Sequence, residues 1–291
     1  MSTSSIRLMY WSVRRELWES RSLYIAPLAA AAVFLLGFLI STIRLPGRMR
    51  AFSALSPMEQ HEAIVTPYHM AAGLLMLTAM LVGAFYCLEA LQSERRDRSI
   101  LFWKSLPVSD RITVLAKASV PLVILPLLTF AITFALQTVM LMASSTVLWA
   151  SGLRAATMWS QLAFPRMTLL LLYHLLTVHA LWEAPLFGWL LLISGWAPRA
   201  AFLWAVLPPF AIGAAEKVLF GSSHFADMIW DRIGGGGVEA LTAPGTMPMD
   251  PTTLPTFGHF LISPGLWIGL AITAVFLAGC IRLRHYRGPT L

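Results

Sequence analysis

Ser93–Lys117, SERRDRSILFWKSLPVSDRITVLAK, is the stretch that decides how this chain folds. It carries the densest charge in the sequence, in Glu94, Arg95, Arg96, Asp97, Arg98, Lys104, Asp110, Arg111 and Lys117. A long apolar run lies on each side. A loop this short and this charged, held between two such runs, belongs at a membrane face. In its middle Ile100, Leu101, Phe102 and Trp103 form an apolar patch that Leu106 continues. Charged flanks around an aromatic patch suggest a docking site for a partner. The plainer alternative for Phe102 and Trp103 is an interfacial aromatic anchor.

The composition agrees with a membrane setting. The 291 residues are 57% hydrophobic and 12% charged, with mean hydropathy +0.71. Soluble domains carry about 25% charged residues. The formal charge of +7 invites a nucleic-acid reading. That reading fails because the basic residues cluster beside apolar spans, where the positive-inside rule places them. Cys87 and Cys280 both fall in apolar runs, which argues against a disulfide framework.

Working outward, Ile6, Met9, Tyr10, Val13, Leu17 and Trp18 recur at helical spacing, with Arg7, Arg14, Arg15 and Glu16 largely off that stripe. The pattern predicts an interfacial helix over residues 1–22 rather than a cleavable leader. A crossing needs about 20 apolar residues. Span one runs from Leu23 to Ile43. Ser56-Pro57-Met58-Glu59 is a capping box that predicts a short surface helix, and span two follows from His69 to Leu88. Asp97 or Ser99 would cap a short helix over Ile100–Lys104, stopped by Leu106-Pro107. Ser109 or Asp110 would cap span three, bent by Pro121 and Pro126 and ending near Met142. Ala143–Phe164 is left as a surface segment. Span four runs from Pro165 to Trp196 with a kink at Glu183-Ala184-Pro185. Span five covers Ala200–Ala215, and residues 219–260 form a long external loop with a short interfacial helix over His224–Ile233. Gly234–Gly237 reads as flexible loop, not a phosphate cradle. Span six runs from Leu261 to Ile281.

The fold class is therefore all-α, a polytopic helical bundle of six transmembrane helices with an N-terminal interfacial helix. With both termini inside, fourteen Lys and Arg residues fall on the cytoplasmic side and seven outside. The positive-inside rule favours that orientation.

The run from Glu94 to Asp110, ERRDRSILFWKSLPVSD, is similar to the charged loop of bacterial ABC-2-type exporter permeases. The stretches Leu181–Pro185 and Phe202–Pro209 resemble segments of the same group. The resemblance covers essentially the whole chain, and its specific part is the loop. It implies a single permease domain over 1–291, in the inner (cytoplasmic) membrane, with residues 93–111 as a cytoplasmic coupling loop. Glu94, Arg95, Arg98, Ser99, Ile100, Leu101, Phe102, Trp103 and Lys104 would dock a separate ATP-binding subunit. Permeases of this kind pair as homodimers or heterodimers. ATP and Mg would be bound by the partner and no cofactor by this chain. The sequence holds no G-x-x-x-x-G-K-[ST] motif, so an energised transporter would need that second subunit; the chain is not an enzyme by itself. Membrane lipids are the other expected partner, and nucleic acid is not.

Glu183 is the costliest residue to place in a span, at roughly 2.5–3.5 kcal/mol for a central acidic residue. It and His179 are candidates for the substrate path or the dimer seam. The alternative is a structural role beside the Pro185 kink. His174 lies about 140° from His179 on a regular helix, so these two and Glu183 do not converge as metal ligands. An intramembrane enzyme using His174, His179 and Glu183 is one rival function. A non-transporting sensor or scaffold with a permease fold is another.

Overall fold

The computed structural model describes residues 3–51, 56–105, 108–234 and 257–286, and all regular structure among them is helical. The elements are α1 (Thr3–Glu19), α2 (Ser22–Thr42), α3 (Leu45–Ala51), α4 (Pro57–Ala90), α5 (Gln92–Arg96), α6 (Ser99–Ser105), α7 (Asp110–Ser119) and α8 (Leu125–Ala150). They continue as α9 (Ala156–Leu162), α10 (Phe164–His174), α11 (Ala184–Trp196), α12 (Ala201–Phe220), α13 (His224–Gly234), α14 (Phe257–Ile262) and α15 (Pro264–Tyr286). π-Helical turns at Val120–Ile124 and Leu175–Trp182 join α7 to α8 and lead out of α10. Six helical runs are long and apolar enough to cross a bilayer: Ser22–Thr42, Met58–Arg96, Asp110–Ala150, Met158–Trp182, Ala201–Phe220 and Pro264–Tyr286. The chain is a multi-pass helical membrane protein.

Several boundaries differ from the sequence reading, mostly in one direction. The capping box forms, with Ser56 N donating to Glu59 Oε2 at 2.8 Å and Glu59 N to Ser56 Oγ at 3.4 Å. It opens not a short surface helix but the 34 residues of α4, with Pro67 inside. Span three continues to Ala150 rather than Met142, and span five to Phe220 rather than Ala215. An apolar solvent gives a freed backbone group no water to bond, so helices run on through Pro and to the last apolar turn. Gly221, at φ +68°, ends α12 in the left-handed conformation that glycine adopts cheaply. The last span begins at Pro264 and reaches Tyr286, later at both ends than expected. Leu106-Pro107, residues 235–256 and Arg287 lie outside the described residues.

Two of the prolines coincide with π turns. Pro121 lies within the first one, and Pro126 follows it by two residues. Before Pro185 the ladder widens, and Glu183 N donates to Val178 O, five residues back, at 3.0 Å. Glu183 keeps right-handed backbone (φ −81°, ψ −5°), and Leu186 N and Phe187 N donate to its carbonyl. The run from Phe164 to Trp196 is thus one broken helix.

Two compact units form. One comprises Tyr24–Met80 and Leu127–Leu175. Its core gathers Tyr68, Leu75, Met140, Leu141, Leu148 and Leu162, all nearly solvent-free. Gln137 Nε2 donates to Tyr68 O at 3.1 Å inside it. The other comprises Met1–Leu23, Leu81–Pro126 and Leu176–Leu291. There α11 lies close against α15: a Cβ on Gly279 would sit 2.9 Å from Leu192 Cδ1. Small residues that let backbones approach are how helices associate without a hydrophobic drive.

Candidate functional site

The second unit holds the charged loop, and there the structure builds a buried ion network. Glu16 of α1, Glu94 of α5 and Lys117 of α7 are 2%, 5% and 2% exposed. Lys117 Nζ donates to both Glu16 oxygens at 3.0 Å and lies 3.1 Å from Glu94 Oε1. Arg15 Nη2 reaches Glu16 Oε1 at 2.5 Å and Glu94 Oε1 at 3.2 Å. Tyr86 Oη, from the end of α4, donates to Glu16 Oε2 at 2.8 Å. Arg284, on the last turn of α15, pairs with Glu94 Oε2 through Nη1 and with Asp110 Oδ1 through Nε at 3.1 Å. Three cations (Arg15, Lys117, Arg284) face four carboxylates: Glu16, Glu94, Asp110 and, at the exposed edge, Glu19, whose Oε1 lies 3.7 Å from Arg15 Nε. Burial alone would raise the Glu16 carboxyl. Lys117 and Arg15 outweigh it and hold the group below its ordinary value of 4.5.

Pairing of this kind roughly offsets the desolvation of its charges. Its effect is geometric. It fastens the first helix, the charged loop, the start of α7 and the end of α15 at one place. Arg95 Nη1 adds a bond to Gly195 O at 2.7 Å, and Ser194 Oγ accepts from Leu91 N and Gln92 N at 3.0 Å each. These bind the loop to the end of α11.

α6 stands on this base. Ile100 is buried beneath it. The Arg15 guanidinium covers the half-buried Trp103 ring, 4.0 Å from its centroid. Ser99 Oγ donates to Glu94 O at 3.4 Å, and Lys104 Nζ to His285 O at 3.3 Å. Ser109 caps α7, accepting from Ile112 N. Leu101 and Phe102 point outward, each 59% exposed. The docking residues read from the sequence therefore divide. Glu94, Arg95 and Ile100 face inward and are buried within the chain, and Ser99 turns back to the Glu94 carbonyl. Trp103 is shared with Arg15. Leu101, Phe102 and Lys104 remain on the open face. Arg98, exposed at a left-handed turn with φ 59°, faces a groove beside it.

His179 and Glu183 come together, with Nδ1 2.8 Å from Oε1. Glu183 is 1% exposed, and its Oε2 finds no hydrogen-bond partner among the described residues. The described residues contain no group of three His, Cys, Asp or Glu placed to hold a metal ion.

Two features escaped the sequence reading. Glu16 belonged there to the polar face of α1, yet it is buried. Arg232 of α13, counted simply as an outside charge, is clasped. Its guanidinium lies 4.0 Å over the Trp182 ring, Nη1 donates to Trp182 O at 3.0 Å, and Nη2 donates to Gly265 O. Trp182 Nε1 answers with a bond to Asp231 O at 3.0 Å. A Cβ at Gly269 would stand 2.7 Å from Arg232 Nη1. The Gly265-x-x-x-Gly269 spacing was the available signal, because it marks a helix face open to close approach.

No protein-family model, no curated protein and no solved structure matches this chain.

Proposed function

We propose that this chain is the transmembrane permease subunit of an ABC-type exporter. It sits in the inner membrane with both termini in the cytoplasm, and α6 is the helix on which a separate ATP-binding subunit docks. The observation that carries this reading is the rigid mounting of an exposed apolar pair. Leu101 and Phe102 project from a short helix that is tied to α1 by Trp103 under Arg15, to α5 by Ser99 and to α15 by Lys104, and α5 is itself held to α1, α7 and α15 by the ion network. An exposed aromatic anchor beside charge is what a docking contact needs. A stiff base is what lets a push on that contact travel.

In this mechanism the partner binds ATP and Mg, and closure of two partner subunits presses on α6. The push passes through Trp103 to Arg15 and α1, and through Glu94 to Lys117 and Arg284. It thereby reaches α7 and α15 together and rearranges a path between two permease copies. His179 and Glu183 lie on that path or at the seam between copies. The unpartnered Glu183 Oε2 supports this placement, since buried carboxylates in spans face cavities or partner helices.

The test is co-purification of the tagged chain from its native membrane in mild detergent, wild type beside a Leu101→Asp, Phe102→Asp variant. A P-loop ATP-binding protein should accompany the wild type and be lost from the variant. Its absence from both, or its retention by the variant, would refute the assignment.

A further inference from the structure

A second surface lies beside α6 and makes no use of the docking pair. The last turns of α4, the α5–α6 turn and the α11–α12 turn enclose an open groove of about 720 Å³. Arg96, Arg98 and Arg199 line it, with Phe85, Leu88 and Phe202 as its apolar wall. Glu89 is the acidic residue among the lining side chains. Among the described residues Arg96 pairs with the exposed Asp97, at 3.3 Å, and neither Arg98 nor Arg199 makes an ion pair.

We infer that this groove binds one anionic glycerophospholipid, with its phosphate among the three guanidinium groups and its chains along Phe85, Leu88 and Phe202. Three features carry the inference. The groove is bipolar. Its arginines suit bidentate contact with phosphate, and its apolar wall comes from the ends of two spans, α4 and α12, where lipid headgroups meet hydrocarbon. Its sides are also fixed. The Arg95–Gly195 and Ser194–Leu91 bonds hold α5 to the end of α11, so the backbone that carries the arginines on both sides of the groove is tied together. Finally, two of its corners, Arg98 at φ 59° and Ala200 at φ 51°, hold left-handed backbone that glycine or asparagine would adopt more cheaply. Strained backbone of this kind collects at ligand sites. Juxtamembrane arginines attract the anionic lipids of the cytoplasmic leaflet in general, but a groove with an apolar wall singles out one molecule. The inference does not depend on the ATP-driven reading, because no residue of it need touch a protein partner.

The test is native mass spectrometry of the full chain in detergent, titrated with phosphatidylglycerol or with phosphatidylcholine of the same chains. One phosphatidylglycerol should bind in preference to phosphatidylcholine. Arg98→Gln with Arg199→Gln should weaken it by about 25-fold, at roughly fivefold per arginine. Arg111→Gln, an exposed arginine outside the groove, should leave it unchanged. Phe202→Gln, which keeps all the charge, should also weaken it. Millimolar inorganic phosphate should not compete. Equal binding of the two lipids, full binding by the double arginine variant with native helicity, or displacement by inorganic phosphate would each overturn the inference, the last by making the site one for a free anion.

Discussion

Replacing Lys117 with methionine removes one cation from a buried ion cluster while keeping most of the side chain's volume. Its Nζ lies 3.0 Å from both Glu16 oxygens and 3.1 Å from Glu94 Oε1, and the side chain is 3% exposed. Removing one member of a buried pair costs about 3–5 kcal/mol, because it strands the partner's charge. Here the stranding is incomplete. Glu16 keeps Arg15 at 2.5 Å and Tyr86 at 2.8 Å, and Glu94 keeps Arg284. The expected cost therefore lies at the low end, about 3 kcal/mol. At roughly 2–4 °C per kcal/mol for a large domain, melting should fall by about 6–12 °C. Adding Glu16→Gln restores the cluster's wild-type net charge, so the double variant should recover about 1–2 kcal/mol of that loss, a coupling of the size seen between contacting residues. The assay is thermal unfolding of the four purified proteins in one detergent. A Lys117→Met protein that melts within a degree of wild type would refute the reasoning. So would a double variant whose losses simply add.

Three further outcomes follow from the same geometry. Because Glu16 is held below its ordinary value of 4.5, its contribution is present above that pH and is lost as pH falls through the depressed value; acid melting curves of wild type should drop there, and those of Glu16→Gln should start lower but fall less. Ser194→Ala removes the oxygen that receives Leu91 N and Gln92 N, so it should cost about 1–3 kcal/mol, read as a lower melting temperature. Gly269→Ala places a methyl 2.7 Å from Arg232 Nη1, so the guanidinium should leave the Trp182 and Gly265 carbonyls at a cost of about 1–3 kcal/mol, read as a lower melting temperature.

The spans were legible because an apolar run of bilayer length has one stable solution, and the prolines at 121, 126 and 185 marked where the ladder would bend. Their ends were less legible. Apolar surroundings carry a helix past the point where propensity would stop it, as α4 and α8 show. The charged loop with its apolar centre was visible in Ser93–Lys117 as a composition, but which of its residues face inward was not. That division depends on Lys117 meeting Glu16 across 101 positions and on Arg284 meeting Glu94 across 190. Helical periodicity on α1 even pointed the wrong way, because Glu16 sits beside Arg14 and Arg15 and shares their polar face. A lysine at the threshold of an uncharged span was the clue that a carboxylate had to be near.

The central claim is that α6 meets a nucleotide-binding partner, and a photo-crosslinking residue at position 101 tests it most directly. The same residue at position 230, which is 72% exposed on α13, serves as the reference. Irradiation of native membranes should join position 101, and not position 230, to a P-loop ATP-binding protein. Crosslinks from position 101 to lipid alone, or equal crosslinking of that protein from both positions, would contradict the account.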